Sequence, residues 1–227
     1  MTTPALVIFD DGRGQWGPVT DLRPVFAVRS GAMTARLRIE RCLGRGAEAV
    51  FVPRDMQAIA EHDGGVIVNR LPGGDTAMLV NGRWLGAAAM KQVAALQPNE
   101  AIVQADGQVI AACLPRDAAQ TFADGNFAAL PATVRQTRLD KNVLIERPWH
   151  IIAQLEATLG IDLPSYELPP FNRDTPLVPS IGEHDIRVSP SAKLHPMVLL
   201  NCEKGPIVID DEAIVGSFAV QIGRAHV

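Results

Sequence analysis

A chain of 227 residues can hold one large domain, or an ordinary domain and a smaller one. Its 47% hydrophobic and 20% charged residues are ordinary globular values and exclude disordered and collagen-like classes. The net charge of −4 and pI near 5.7 leave no basic footprint, which argues against a nucleic-acid partner held through its phosphates.

The first nine residues contain no basic segment followed by an apolar stretch of signal-peptide length. The longest apolar runs, such as 86–90, fall far short of the ~20 residues a membrane span needs, so no membrane partner is expected. Cys42, Cys113 and Cys202 are scattered without the paired spacing of zinc or redox sites, which reads as reduced, packed thiols in a cytoplasmic protein. No two histidines stand at helical metal-binding spacing.

The apolar run 5–9 predicts a buried first strand, followed by Asp10, Asp11 and a glycine-rich loop. A helix is expected over 33–43, closed by Gly44. Strands at 49–52 and 65–69 flank a short helix at 55–61. Asn81-Gly82 and Asp106-Gly107 carry the sequence of two-residue hairpin turns, the first between strands 76–80 and 83–85, the second between 101–104 and 108–112. An alanine-rich helix is expected at 87–96. Another starts at Pro148, with Trp149, Ile152, Glu156 and Leu159 at helical spacing before Gly160. Alternating strands and helices predict an α/β/α domain around a mainly parallel sheet, over residues 1–163.

Prolines 164, 169, 170, 176 and 179 leave no room for regular structure, so 164–182 reads as a linker or extended arm. Beyond it the period is six. Val188, Leu194 and Leu200 are spaced by it, and Ile209 and Val215 resume it after an insertion at 201–206. Small or aliphatic residues follow four positions behind, at Ala192, Val198, Ala213 and Ala219. An aliphatic side chain every six residues, with a residue fitted to a tight corner, predicts the start of a hexapeptide-repeat β-helix over 183–221. One coil cannot bury its own apolar face, so this start is expected to be truncated. The last six residues, 222–227, back-translate to ATC GGA AGA GCA CAC GTC. That string matches a sequencing adapter read in frame, so they are expected to be a non-native tail.

Gly12, Gly14 and Gly17 satisfy a G-x-G-x-x-G pattern after a strand. Pro18 follows at once and 19–23 does not open a helix to receive a pyrophosphate, so a dinucleotide site is not expected. A glycine-rich loop after the first strand is still a usual place for phosphate in an open α/β sheet.

The segment that follows carries a resemblance. Phe9-Asp10-Asp11, Pro18-Val19-Thr20, Arg23-Pro24, Arg29, Gly31, Thr34 and Arg36 resemble, in order, the opening signature of a family of sugar nucleotidyltransferases. So do Asn81 to Leu85, Pro148-Trp149 and the stretch from Gly205 to Asp210 with Ala213. The resemblance implies a nucleotidyltransferase-like, Rossmann-like α/β/α domain followed by a left-handed parallel β-helix. The architecture is similar to that of bifunctional uridyltransferase/acetyltransferases of amino-sugar metabolism.

It implies that a nucleoside triphosphate and a sugar 1-phosphate react to a nucleotide sugar and pyrophosphate, with Mg²⁺ as cofactor and a homotrimer formed through the complete β-helix. Arg23 would be catalytic. Gly12, Gly14, Arg23, Arg29 and Arg36 would bind phosphates, Asn69, Asn81 and Arg83 the base or sugar, and Asp10 and Asp11 the metal. The same residues have structural readings: a solvated face for Arg36 with Arg38 and Arg41, and capping for the two aspartates. The chain also lacks the Thr-Arg of the usual phosphate loop, and Arg23-Pro24 stands where a Pro-Lys pair is usual. Two alternatives therefore remain: a catalytically silent domain binding a nucleotide or sugar phosphate beside a β-helix acyltransferase, and a structural platform.

Overall fold

The computed structural model describes residues 3–86 and 89–224. The chain forms two compact units, Met1–Asp162 and Leu163–Val227.

The first unit is built on seven strands: β1 (Ala5–Phe9), β2 (Ala49–Phe51), β3 (Ile67–Val68), β4 (Thr76–Asn81), β5 (Glu100–Val103), β6 (Val109–Pro115) and β7 (Arg135–Arg138). They lie in the order β3-β2-β1-β4-β6-β5-β7, all parallel to their neighbours except β6, which is antiparallel to β4 and β5. All five residues of β1 are buried, because helices and loops cover both faces of the sheet and leave no polar face to alternate with. On one face Leu6, Ile8, Val80 and Ile102 pack with Ile39 of α1 (Ala35–Leu43) and Val93 of α3 (Met90–Ala94). On the other, Val7, Phe9, Leu79 and Ala112 pack with Phe122 of α4 (Arg116–Asp124) and with Phe127, whose ring stacks on Phe9 at 4.2 Å between centroids.

Local sequence accounts for the helix ends. Thr34 caps α1 by accepting a hydrogen bond from Leu37 N, and Gly44 closes it in the left-handed conformation (φ 65°). The short helix after β2 is a 3₁₀ turn, Arg54–Met56, running into α2 (Gln57–Asp63). The expected helix at 87–96 is observed as α3, with residues 87 and 88 outside the described residues. The expected single helix from Pro148 breaks at Gln154 into α5 (Pro148–Ala153) and α6 (Leu155–Asp162), and α6 passes through Gly160. Trp149 and Ile152 are exposed rather than core-facing.

Of the two expected hairpins one forms. Gly107 (φ 90°) donates its N–H to Gln104 O in the turn joining β5 to β6. Asn81-Gly82 instead ends β4, whose antiparallel partner is β6, and residues 83–85 make no strand. Gly82 is small for packing, not for turning: a Cβ there would lie 2.7 Å from Phe26 Cβ and 3.2 Å from Phe9 O.

A buried ion pair ties the end of this unit to its first third. Arg38, fully buried on α1, donates from Nε to Asp162 Oδ1 (2.6 Å) and from Nη2 to Oδ2 (2.7 Å). Asp162 Oδ2 also accepts from Ala32 N and Met33 N, and Arg38 Nη1 donates to Ser30 Oγ. Arg38 is therefore not part of a solvated face; its neighbour Arg36 pairs with Glu40 on the helix surface at 2.9 Å.

The second unit is three parallel ladders. β8 (Ser180–Ile181), β11 (Leu199–Lys204) and β14 (Val220–Arg224) form one; β9 (Ile186–Val188) with β12 (Ile207–Ile209), and β10 (Lys193–Leu194) with β13 (Ile214–Val215), form the others. Paired residues are 20 or 21 apart, so each turn of chain lays three short strands on the turn before: the start of a parallel β-helix. Leu200, Ile209, Val215 and Val198 point into its core, with Val188, Ala192, Leu194, Ala213 and Ala219 packed against them. The six-residue spacing thus marks inward positions. Val178 is buried in the same core, and Phe171 N donates to Ile186 O, so the proline-rich stretch is anchored on the coils. Ile222, in β14, pairs with Asn201 of β11; residues 225–227 of the expected tail lie outside the described residues.

Candidate functional site

Parallel strands deliver the loops at their carboxyl ends to a common edge, where open α/β sheets bind ligands. At the end of β1 the chain enters the loop 10–23, and a cavity of about 330 Å³ opens between this loop and Pro53, Asp55 and Met56 after β2. Gly12, Gly14 and Thr20 form its loop wall, and Arg13 and Arg23 line it. Among the described residues neither guanidinium has a hydrogen-bonding or ionic partner, and the carboxylates of Asp10 and Asp55 line the same space.

The aspartates that begin the loop shape it. Asp10 Oδ1 accepts from Gly12 N and Oδ2 from Val25 N, each at 2.9 Å, holding the two ends of the loop together. Burial, aided by the charge of Asp11, pushes the Asp10 carboxyl above its ordinary range despite those two hydrogen bonds. Asp11 has the opposite balance. Burial alone would raise it, but the paired Arg83 guanidinium outweighs that and holds it below the ordinary range. Arg83 donates Nε to Asp11 Oδ1 (2.9 Å) and Nη2 to Oδ2 (2.7 Å), the fork geometry of a bidentate pair. Asn81 Nδ2 and Arg13 N complete the shell around Asp11, at 3.0 and 3.1 Å.

The other sequence-derived candidates lie in the framework. The side chain of Asn81 also donates to Val109 O and accepts from Arg83 N. Arg83 reaches on to Ile145 O and Gln108. Asn69, in the left-handed conformation, accepts from Val52 N at 2.8 Å and donates to Gln57, fixing the chain that leads from β2 into the cavity wall. Arg29 donates to Ala32 O and Arg36 to Glu40; neither lines the cavity. The structure thus brings together Asp10, Gly12, Gly14 and Arg23. It adds Arg13, Trp16 and Asp55, which the sequence did not single out.

Among the described residues no group of three or more His, Cys, Asp or Glu side chains converges to hold a metal. Mg²⁺ does not require one, since it keeps waters and takes phosphate oxygens with one or two carboxylates. Asp10 fits that donor set, because each oxygen accepts one backbone hydrogen bond and keeps acceptor capacity at the cavity wall. Asp11, enclosed by Arg83 and Asn81, does not.

No curated protein matches the chain. A family model described as sugar nucleotidyl transferase matches residues 6–167, which takes in β1, the glycine-rich loop and every residue lining the cavity. On that match, spanning well over half of its length, the chain belongs to the sugar nucleotidyl transferase family.

Proposed function

We propose that the first unit transfers a nucleotidyl group from a nucleoside triphosphate to a sugar 1-phosphate, in amino-sugar or cell-envelope sugar metabolism. The observation that carries this reading is the pair of guanidiniums without a hydrogen-bonding or ionic partner among the described residues, Arg13 and Arg23, on a glycine-rich loop at the end of β1. In the reaction a phosphate oxygen of the sugar 1-phosphate attacks the α-phosphorus, and the bond from that phosphorus to the bridging oxygen of the β-phosphate breaks. Pyrophosphate leaves with the electron pair. Two anions must approach each other, so fixed positive charge is the main requirement.

Arg23 is the proposed catalytic residue, with Arg13, Gly12 and Gly14 binding phosphates. Bound Mg²⁺ would neutralise phosphate charge, with Asp10 its protein ligand. Asn69, Asn81 and Arg83 act by holding the cavity wall.

The β-helix is proposed to be left-handed and acyltransferase-like, and to form a homotrimer. Supporting the trimer, Leu177, Met197 and Phe218 are exposed on successive coils, beside exposed Ile181 and Val220 on the β8-β11-β14 ladder. A cytoplasmic location accords with the three unpaired cysteines.

A second reading, a domain that binds nucleotide or sugar phosphate without turnover, is favoured by one observation: Asp11 is engaged by Arg83 and leaves Asp10 and Asp55 as the carboxylates at the cavity. Pyrophosphate release by the full chain with Mg²⁺, across a panel of nucleoside triphosphates and sugar 1-phosphates, separates the two. Turnover with one pair, lowered about 10²-fold or more in Arg23→Ala, is expected. Thermal stabilisation by a ligand without turnover would select the second reading.

A further inference from the structure

Trp16 stands between two glycines in the loop and is only 6% exposed, yet it lines the cavity. Its indole Nε1 is the one buried side-chain nitrogen or oxygen with no hydrogen-bond partner among the described residues. A buried donor left unmade costs about 1–3 kcal/mol, and native folds rarely tolerate it without cause. The surrounding chain does not relieve it. Gly14 lies so close that a Cβ on it would come 2.5 Å from Nε1, and the nearby carbonyl of Glu146 accepts from Gln15 N instead.

The indole N–H is a donor with no acceptor capacity, so the group that satisfies it must carry an acceptor. The cavity tells which kind. Arg13 and Arg23 also offer only donors, and Gly12 and Gly14 bring backbone close to whatever lies there. Asp10 and Asp55 line the same cavity, but its unused donors, two guanidiniums and the indole, suit a polyphosphate, whose oxygens are acceptors only.

We propose that Trp16 Nε1–H donates a hydrogen bond to a phosphate oxygen of the bound nucleotide, making Trp16 a ligand-positioning residue of this cavity. The proposal rests on the nucleotidyltransferase reading above and deepens it. It accounts for a large aromatic side chain in a glycine-rich loop: the buried indole lines the cavity and keeps one donor unused. Charge-assisted hydrogen bonds of this kind are about twice as strong as neutral ones.

The test uses the full chain labelled with ¹⁵N and titrated with inorganic pyrophosphate and with nucleoside triphosphates. The three tryptophans give three indole N–H resonances. Trp84 is in the core and Trp149 is exposed, so they serve as internal controls. The expected result is a shift of the Trp16 indole resonance with the others unmoved, and binding roughly tenfold to a hundredfold weaker in Trp16→Phe, which keeps the ring but not the donor. If the Gly12 and Gly14 amides shift while the Trp16 indole does not, the ligand binds without Trp16, and this proposal falls while the nucleotidyltransferase reading stands. If no loop resonance moves with any phosphate ligand, both fall. The indole resonance decides the matter even if Trp16→Phe does not fold.

Discussion

Asp10 and Asp11 are adjacent, both buried and both carboxylates, yet burial prevails at Asp10 and the Arg83 pair at Asp11, giving them opposite responses to acid. Asp11 is held below its ordinary range by Arg83, so the unfolded chain binds its proton more readily. Its contribution to stability is complete above the ordinary carboxylate range and lost as pH falls through the lowered value. Asp10 is raised, so its contribution is present below the ordinary range and lost as pH rises through the raised value. Melting temperature against pH should therefore lose its Asp11-dependent acid slope in Asp11→Asn. Removing one partner of a buried pair costs about 3–5 kcal/mol, so Arg83→Met should melt roughly 10 °C lower than the parent. Arg23→Ala, which breaks no hydrogen bond or ion pair, should change stability by less than about 0.5 kcal/mol. A calorimetric comparison of these two arginine variants distinguishes a framework residue from a ligand-facing one.

At the scale of the element, the loop 10–23 works because both its ends and its glycines are constrained. Gly14 has φ 93°, and a Cβ there would meet Trp16 Nε1 at 2.5 Å and Glu146 O at 2.7 Å. Gly14→Ala should weaken nucleotide binding more than it lowers the melting temperature, as read by titration and thermal unfolding side by side. What could be read from the sequence follows from where the determinants lie. α1 was legible because its cap, Thr34, and its stop, Gly44, are both local. β7 was not, since Arg135-Gln136-Thr137-Arg138 is exposed throughout and carries no apolar signal; it is a strand because β5 offers it an edge. Asn81-Gly82 misled because a glycine needed for contact with Phe26 has the same letter as one needed for a turn. In the cavity, Gly12 and Gly14 were legible from their place after β1, and Asp10 and Arg23 through the family resemblance. Arg13 and Trp16 were not, because an unpaired donor is a property of the folded surroundings.

At the scale of the molecule, two units with separate cores predict two unfolding events. Leu200 is fully buried among the coils, and Leu200→Ala should cost the second unit about 2–5 kcal/mol. Differential scanning calorimetry should show one transition moving while the transition of the α/β unit stays in place. The α/β unit has its own peculiarity of timing. The carboxylate that neutralises Arg38 and fastens the amides of Ala32 and Met33 belongs to Asp162, the last residue before the boundary. During synthesis the chain is made from its N-terminus, and domains fold as units when their sequence is available. Every strand of the sheet will have left the ribosome while Arg38 still lacks its counter-ion. The nascent unit must hold that arginine outside its interior, or wait, until Asp162 emerges. Completion of the α/β fold thereby waits on the emergence of that unit's own last residue.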